Sequence, residues 1–235
     1  MVVLGVFDGL HRGHVRVLAH ARALADARRR PVVLVTFDPH PATVAGPDRD
    51  TTPIVSLAER VRLADRNGAD HILVLPFDRC LAAVEPEQFA HHVLVETLHA
   101  TAVVVGENFR FGRGGTGDVT LLHQIGREAR FTVHGMPLLT GCSSTQVRKL
   151  IRFGDLSGAA CLLGRPHHIE GWVVDGRIHP DSHRLLPPSG RYHVHIDDHP
   201  TVAEIEPDGT VHVADRPDGP VTVWLVRRIE NSTRR

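Results

Sequence analysis

The segment Gly5-Val-Phe-Asp-Gly-Leu-His-Arg-Gly-His14 places two imidazoles three positions apart, where a short apolar run gives way to a helical pattern. At that spacing both rings can lie on one side of the first helical turn. The free N–H groups of the helix N-terminus add positive potential at the same spot. An α-phosphate under attack gathers charge on its non-bridging oxygens, and two imidazoles beside a helix end would stabilise that charge. Gly5, Gly9 and Gly13 would let the backbone of this turn, with Phe7 and Asp8 in it, approach a nucleotide closely. The competing reading is a glycine-rich turn with two incidental histidines. It is weaker here because the motif sits where a strand should meet a helix.

A second constellation is Ser143-Ser-Thr-Gln-Val-Arg148. Ser143 and Ser144 are natural helix N-caps. Their hydroxyls, with Thr145 and the open N–H groups, would form a second phosphate-binding helix end. Arg148 lies one turn past Ser144 and offers a forked, charged donor to a triphosphate. Alone, the segment reads more readily as a capped surface helix with a solvated arginine.

Elements that could position these residues follow from hydrophobic periodicity. The runs Val2–Leu4, Val32–Thr36, Ile72–Leu75, Ala102–Val105 and Phe131–Val133 are continuous rather than alternating, as in strands buried on both faces of a parallel sheet. Between them lie helical patterns. Val17, Leu18, Ala21, Leu24 and Ala25 share one face of the first, and residues 57–67, 86–98 and 144–152 read similarly. Repeated βα units predict an α/β domain with a Rossmann-like, doubly wound parallel sheet, whose ligands sit at the carboxyl ends of the strands. The proline-rich stretch Asp38–Pro53 is expected to be largely non-helical. After about residue 169 short alternating runs appear, at Trp172–Val174, Tyr192–Ile196, Val211–Val213 and Val221–Val226, with Pro-Asp-Gly turns at 207–209 and 217–219. They predict a small antiparallel β unit.

Composition narrows the function classes. With 42% hydrophobic and 23% charged residues the 235-residue chain has the balance of a globular protein, and only 5% aromatics imply an aliphatic core. A formal net charge of zero argues against a nucleic-acid surface. Cys80, Cys142 and Cys161 form no CxxC pair, so neither a disulfide framework nor a zinc knuckle is expected. No signal peptide or membrane span is visible, and a cytoplasmic protein without membrane partners is the expectation. The histidines past residue 160 (His167, His168, His179, His183, His193, His195, His199 and His212) read as scattered surface residues. No dedicated protein metal cage is visible.

The order of H-x-G-H and S-S-T-x-x-R resembles the HxGH nucleotidyltransferase superfamily. Gly106-Glu-Asn-Phe-Arg-Phe-Gly112, Thr36-Phe-Asp-Pro-His-Pro41, Leu75-Pro-Phe-Asp78 and Gly164-Arg-Pro166 narrow the resemblance. Together they are similar to the adenylyltransferase module of the prokaryotic bifunctional riboflavin kinase/FAD synthetase family, nearly continuously from residue 4 to about 174. The resemblance implies a nucleotidyltransferase domain over 1–165 and a riboflavin-kinase-like β domain over 166–235. It implies that ATP, with Mg²⁺, binds over Gly5, Phe7, Asp8, Gly9, Gly13, Ser143, Ser144 and Thr145. It further implies that the phosphate of FMN attacks the α-phosphate of ATP in line, giving FAD and pyrophosphate. His11, His14 and Arg148 would then stabilise the transition state, with Asn108 a polar contact near the reacting phosphates. Asp38, Pro39, His40, Pro41, Phe109 and Phe111 would help form the flavin side. Phe111 could equally be core, and Asp38 could cap a turn.

The pattern breaks in the second domain. Gly171-Trp-Val-Val-Asp-Gly176 and Leu185-Leu-Pro-Pro-Ser-Gly-Arg-Tyr192 resemble strands of the family's kinase barrel. Between them the family has a glycine-rich loop ending in Pro-Thr-Ala-Asn, where this chain has Arg177-Ile-His-Pro-Asp-Ser-His183. The expectation is a truncated, kinase-inactive β unit serving packing, a lid or an interface. The same break leaves two alternatives open: a nucleotidyltransferase using ATP or CTP on another phosphorylated small molecule, and a non-catalytic flavin- or nucleotide-binding regulator.

Overall fold

The computed structural model describes residues 1–45, 50–181, 184–213 and 216–229. By internal contacts the chain forms two units: Met1–Thr51 with Leu57–Thr140, and Thr52–Ser56 with Gly141–Arg235.

The first unit holds strands β1 (Val2–Leu4), β2 (Val33–Asp38), β3 (His71–Pro76), β4 (Ala102–Gly106) and β5 (Thr132–Met136). They form a parallel sheet in the order β3-β2-β1-β4-β5, with Val3 paired to Leu34 on one side and Val104 on the other. The central strand is buried along its whole length, whereas the edge strands β3 and β5 are half-exposed. That gradient is why continuous apolar runs marked the middle of the sheet most clearly. Helices α1 (Arg12–Arg28), α2 (Pro41–Ala45), α3 (Leu57–Arg66), α4 (Arg79–Ala82), α5 (Pro86–Phe89) and α6 (Val119–Ala129) lie between the strands, and α5 runs on in wider turns over Ala90–Thr97. Leu18, Ala21 and Ala25 make the buried stripe of α1.

Two local expectations are refined. The proline-rich stretch after β2 carries one short helix, α2, with Pro41 at its first position, where a missing N–H costs nothing; residues 46–49 lie outside the described part. Helix α6 was not among the patterns read from the sequence. It is capped by Asp118, whose side chain accepts from Leu121 N (2.9 Å), and it buries Leu122, Ile125 and Gly126.

Behind the sheet, Phe37, Phe89, Val105, Phe111, Leu122 and Phe131 belong to one buried cluster. Gly112 is fitted to it tightly. Its φ of +71° is left-handed, and an added Cβ would stand 2.5 Å from Pro86 Cγ and 2.6 Å from Pro86 Cα. Both faults apply to any side chain, so Gly112→Ala is expected to cost about 3 kcal/mol. Urea unfolding followed by circular dichroism checks this. An unchanged midpoint would mean that the backbone at 112 is not pinned against Pro86.

The second unit opens with helices α7 (Ser144–Phe153) and α8 (Leu156–Leu163). It continues through β6 (His167–Val174), β7 (Arg177–Pro180), β8 (Gly190–Ile196), β9 (His199–Ile205), β10 (Val211–His212) and β11 (Gly219–Arg228). The strands close into an antiparallel barrel, β10-β7-β6-β11-β8-β9, with β10 pairing back to β9. Ile169, Ile178, Tyr192, Val194, Ala203, Val211, Val223 and Leu225 are each at most 1% exposed and fill its interior. The Pro-Asp-Gly turn at 207–209 works as its composition suggests: Asp208 Oδ1 accepts from the backbone N (2.9 Å) and Oγ1 (2.6 Å) of Thr210.

The histidines of this unit divide. His179, His195, His199 and His212 are exposed and His193 half-buried, as expected of surface residues. His167 and His168 are buried, which corrects that reading. They stand at the start of β6, where His167 shares the face of Ile169 and meets Leu185 O (2.9 Å), while His168 on the other face lies against Trp224 (ring centroids 4.4 Å), and burial of that kind leaves no local mark in the sequence. His183 lies outside the described residues.

Candidate active site

Strand β1 ends at Leu4, and the chain turns sharply before α1. Phe7 and Leu10 take left-handed backbone angles (φ 54° and 39°) on either side of Gly9 (φ 77°). Non-glycine residues held in that region store strain, a frequent mark of functional turns. Gly5 N donates to Val35 O (3.1 Å), and Thr36 Oγ1 donates to Val6 O (2.7 Å), so β2 holds both ends of the turn's first segment. Asp8 is buried within it.

His11 is the N-cap of α1. Its Nδ1 accepts from the backbone N of His14 at 3.4 Å. The rings of His11 and His14 stack with centroids 3.7 Å apart and planes 17° apart, and Phe7 meets His14 edge-on at 5.0 Å. The sequence spacing predicted two rings on one side of the turn, and the structure places them in direct contact. Nδ1 of His14 is buried and has no hydrogen-bond partner among the described residues. Burial holds the His14 pKa well below the ordinary imidazole range, with further lowering by the charges of His11 and Arg60. His14 is thus held neutral beside a helix N-terminus, with one of its ring nitrogens left unsatisfied among the described residues.

Arg60 was not singled out from the sequence. It lies on α3, on the buried stripe with Leu63 and Ala64, and is itself only 4% exposed. Its Nη1 donates to Phe37 O (2.9 Å) and Thr36 Oγ1 (3.4 Å), at the carboxyl end of β2. The available signal was an arginine falling on the apolar face of a helical pattern.

Three sequence-predicted segments leave the carboxyl ends of adjacent strands. The β1 segment lies between the other two, where the strand order reverses, the usual ligand position in open α/β sheets. After β2, Asp38 and Pro39 are exposed and His40 is half-buried, its Nδ1 accepting from Ala42 N (3.1 Å) as the chain enters α2 at Pro41. After β4, Asn108 is exposed, and Phe109 N closes the turn onto Gly106 O (3.0 Å). Phe109 is half-buried and stacks on Phe111 (centroids 5.6 Å, planes 11° apart). Phe111 is buried in the core and exchanges backbone hydrogen bonds with Gly117.

The fourth segment is carried by the second unit. Ser143 caps α7, its Oγ accepting from Gln146 N (3.2 Å). Arg148 is 4% exposed, and its Nε donates to Thr52 O (2.8 Å). It is a fixed, buried arginine rather than a solvated one.

Among known proteins, the family model described as FAD synthetase matches residues 1–148. The bifunctional riboflavin kinase/FMN adenylyltransferase of Escherichia coli (strain K12) is 35% identical over 182 residues, which cover 75% of this chain and 58% of that protein. The protein of the same description from Bacillus subtilis (strain 168) is 27% identical over 212 residues, covering 83% of this chain and 66% of that one. The matched part is thus less than two thirds of either relative. A crystal structure described as a macrolide-efflux protein from Streptococcus pneumoniae superposes with a TM-score of 0.87 at 25% identity, covering 100% of this chain and 86% of that one. No helix among the described residues is long and apolar enough to cross a membrane. The family model covers well over half of the chain, including the stacked histidine turn and Arg148, and the chain therefore belongs to the FAD synthetase family of nucleotidyltransferases.

Proposed function

We propose that this protein is an FMN adenylyltransferase that joins ATP and FMN to give FAD and pyrophosphate, without riboflavin kinase activity. The observation that carries the reading is the stacked His11–His14 pair at the N-terminus of α1, with an unpartnered buried nitrogen.

A phosphate oxygen of FMN attacks the α-phosphorus of ATP. The bond from the α-phosphorus to the bridging oxygen breaks, and pyrophosphate leaves with the bonding electrons. No covalent enzyme intermediate is required. The protein's task is positioning and charge stabilisation. His11 and His14 donate to the non-bridging oxygens as charge develops there, aided by the N–H groups of α1. Arg148 supplies a charged fork whose orientation is set by its bond to Thr52 O. Gly5, Phe7, Asp8, Gly9 and Gly13, with Ser143, Ser144 and Thr145, hold the nucleotide. Asn108 contacts the reacting phosphates. Asp38, Pro39, His40 and Pro41 form the flavin side with Phe109, which Phe111 supports from the core. Imidazoles and N–H groups suit anionic oxygens rather than a hard cation, so Mg²⁺ is assigned to the triphosphate it arrives with and not to a protein cage.

The absence of kinase activity is supported by the sequence between β7 and β8, where no Pro-Thr-Ala-Asn motif is present. Incubation with Mg²⁺ and ATP or CTP, and with FMN or riboflavin, followed by chromatography and pyrophosphate detection, tests all parts of the reading. FAD from FMN and ATP, with no FMN from riboflavin, is expected. Pyrophosphate released only with a different phosphorylated acceptor would replace the substrate, and release of none would remove the enzymatic reading.

A further inference from the structure

The adenylyl-transfer chemistry makes no use of Arg60, although its placement is poorly explained by packing. It lies in α3 on the stripe shared with Leu63 and Ala64, and only 4% of it is exposed. A guanidinium in such a place gives up its hydration, and an apolar side chain would avoid that loss. Helix α3 packs against the turn Asp8–Leu10, directly before His11.

Hydrogen bonds lead from Arg60 to the histidine turn. Its Nη1 donates to Phe37 O (2.9 Å) and Thr36 Oγ1 (3.4 Å), and Thr36 Oγ1 donates in turn to Val6 O (2.7 Å). Val6 precedes Phe7, whose backbone is left-handed (φ 54°) and whose ring meets His14 edge-on at 5.0 Å. A left-handed phenylalanine is strained and persists only where its neighbours hold it. The bond to Val6 O is one such hold. Phe37, the other partner of Arg60, immediately precedes Asp38 and the stretch assigned to the flavin. One side chain thus fastens the segments that leave two adjacent strands.

Arg60 also brings a charge that does not titrate. That charge acts on His14 together with the stacked His11, and Asp8, the carboxylate of the turn, is itself buried.

We propose that Arg60 is a positioning residue for adenylyl transfer, holding the turn that carries His11 and His14 through Thr36 and standing as a fixed cation near their rings. Its role is exerted through the histidines. The proposal rests on the adenylyl-transfer reading, but its consequence for His14 is visible without turnover.

The full chain is compared with Arg60→Gln, Arg60→Lys and Thr36→Val in two measurements. The first is the NMR titration of the His14 ring, assigned by the signal that His14→Ala removes. Arg60→Gln keeps an N–H donor without the charge, so the ring should titrate at higher pH than in the wild type. Arg60→Lys should leave the titration near that of the wild type. The second measurement is the single-turnover rate of FAD formation, with nucleotide affinity determined on the same preparation. Arg60→Gln and Thr36→Val are each expected to slow the rate about thirtyfold while affinity stays within about threefold, because displaced rings lose transition-state contacts first. Arg60→Lys should recover most of the rate lost in Arg60→Gln. The Thr36→Val exchange preserves side-chain shape, so the tether is tested independently of how the Arg60 variants fold. Coincident His14 titrations in the wild type and Arg60→Gln, or wild-type rates in Arg60→Gln and Thr36→Val, would overturn the proposal. A lower melting temperature with neither readout changed would reduce Arg60 to a structural role. No FAD from the wild type would instead remove the adenylyl-transfer reading, and the titration would then decide whether Arg60 governs His14.

Discussion

His14→Ala is expected to slow adenylyl transfer several hundred-fold while ATP still binds. The loss follows from where the ring stands. His14 is stacked on His11 at 3.7 Å, and its Nδ1 is buried without a partner, so the ring satisfies nothing in the resting protein that alanine would leave exposed. The helix N-terminus and the glycine turn persist in the variant and keep most of the ground-state affinity. What disappears is a donor aimed at charge that exists only in the transition state, worth about 3–4 kcal/mol. The split between turnover and binding is the diagnostic measurement. Single-turnover rates and nucleotide affinity should be determined on the same preparation. An unchanged rate, or a loss confined to affinity, would sink the catalytic assignment and favour a binding module.

The second large effect concerns stability and pH. His167 is 2% exposed, and its Nε2 donates to Leu185 O at 2.9 Å in the neutral ring. Burial drives its pKa from 6.5 to about 4, with His168, Arg165 and Arg184 pushing the same way and the bond to Leu185 opposing. The folded pKa is the lower one, so between those values the unfolded chain takes up a proton that the folded chain refuses. Stability is therefore complete above pH 6.5 and is lost as pH falls. The linkage amounts to about 2 kcal/mol by pH 5 and about 3 kcal/mol by pH 4. His14 contributes in the same direction.

The measurement is favoured by composition. Trp172 and Trp224 are the two tryptophans of the chain, and both lie in the barrel that contains His167. Urea unfolding followed by tryptophan fluorescence at several pH values should show the midpoint falling below pH 6.5. His167→Gln keeps an N–H donor for Leu185 and does not titrate, so its midpoint should fall less steeply. Parallel pH profiles for the wild type and His167→Gln would show that this ring is not the titrating group.

Much of the protein was legible without coordinates because its signals are local. The strands of the parallel sheet announced themselves as continuous apolar runs, and the barrel strands as alternation broken by turn residues. The H-x-G-H spacing and the Ser143 cap are properties of a single helical turn, so rings three apart had to share a side wherever the helix lay. Edge strands and α6 were harder, since half-exposure dilutes the apolar pattern that a sequence displays. Other features depend on residues far apart in the chain. Nothing near Arg60 says that its guanidinium will meet the end of β2, nor does the neighbourhood of His167 say that barrel closure will cover it. The order in which parallel strands assemble put β1 between β2 and β4, and so gathered the segments after all three at one edge of the sheet. Chemistry-bearing residues were thus determined by sequence, because a turn or cap is built from neighbours. Their burial, their charge state and their company were decided by tertiary structure, because desolvation and Coulomb interactions depend on distance in space rather than along the chain.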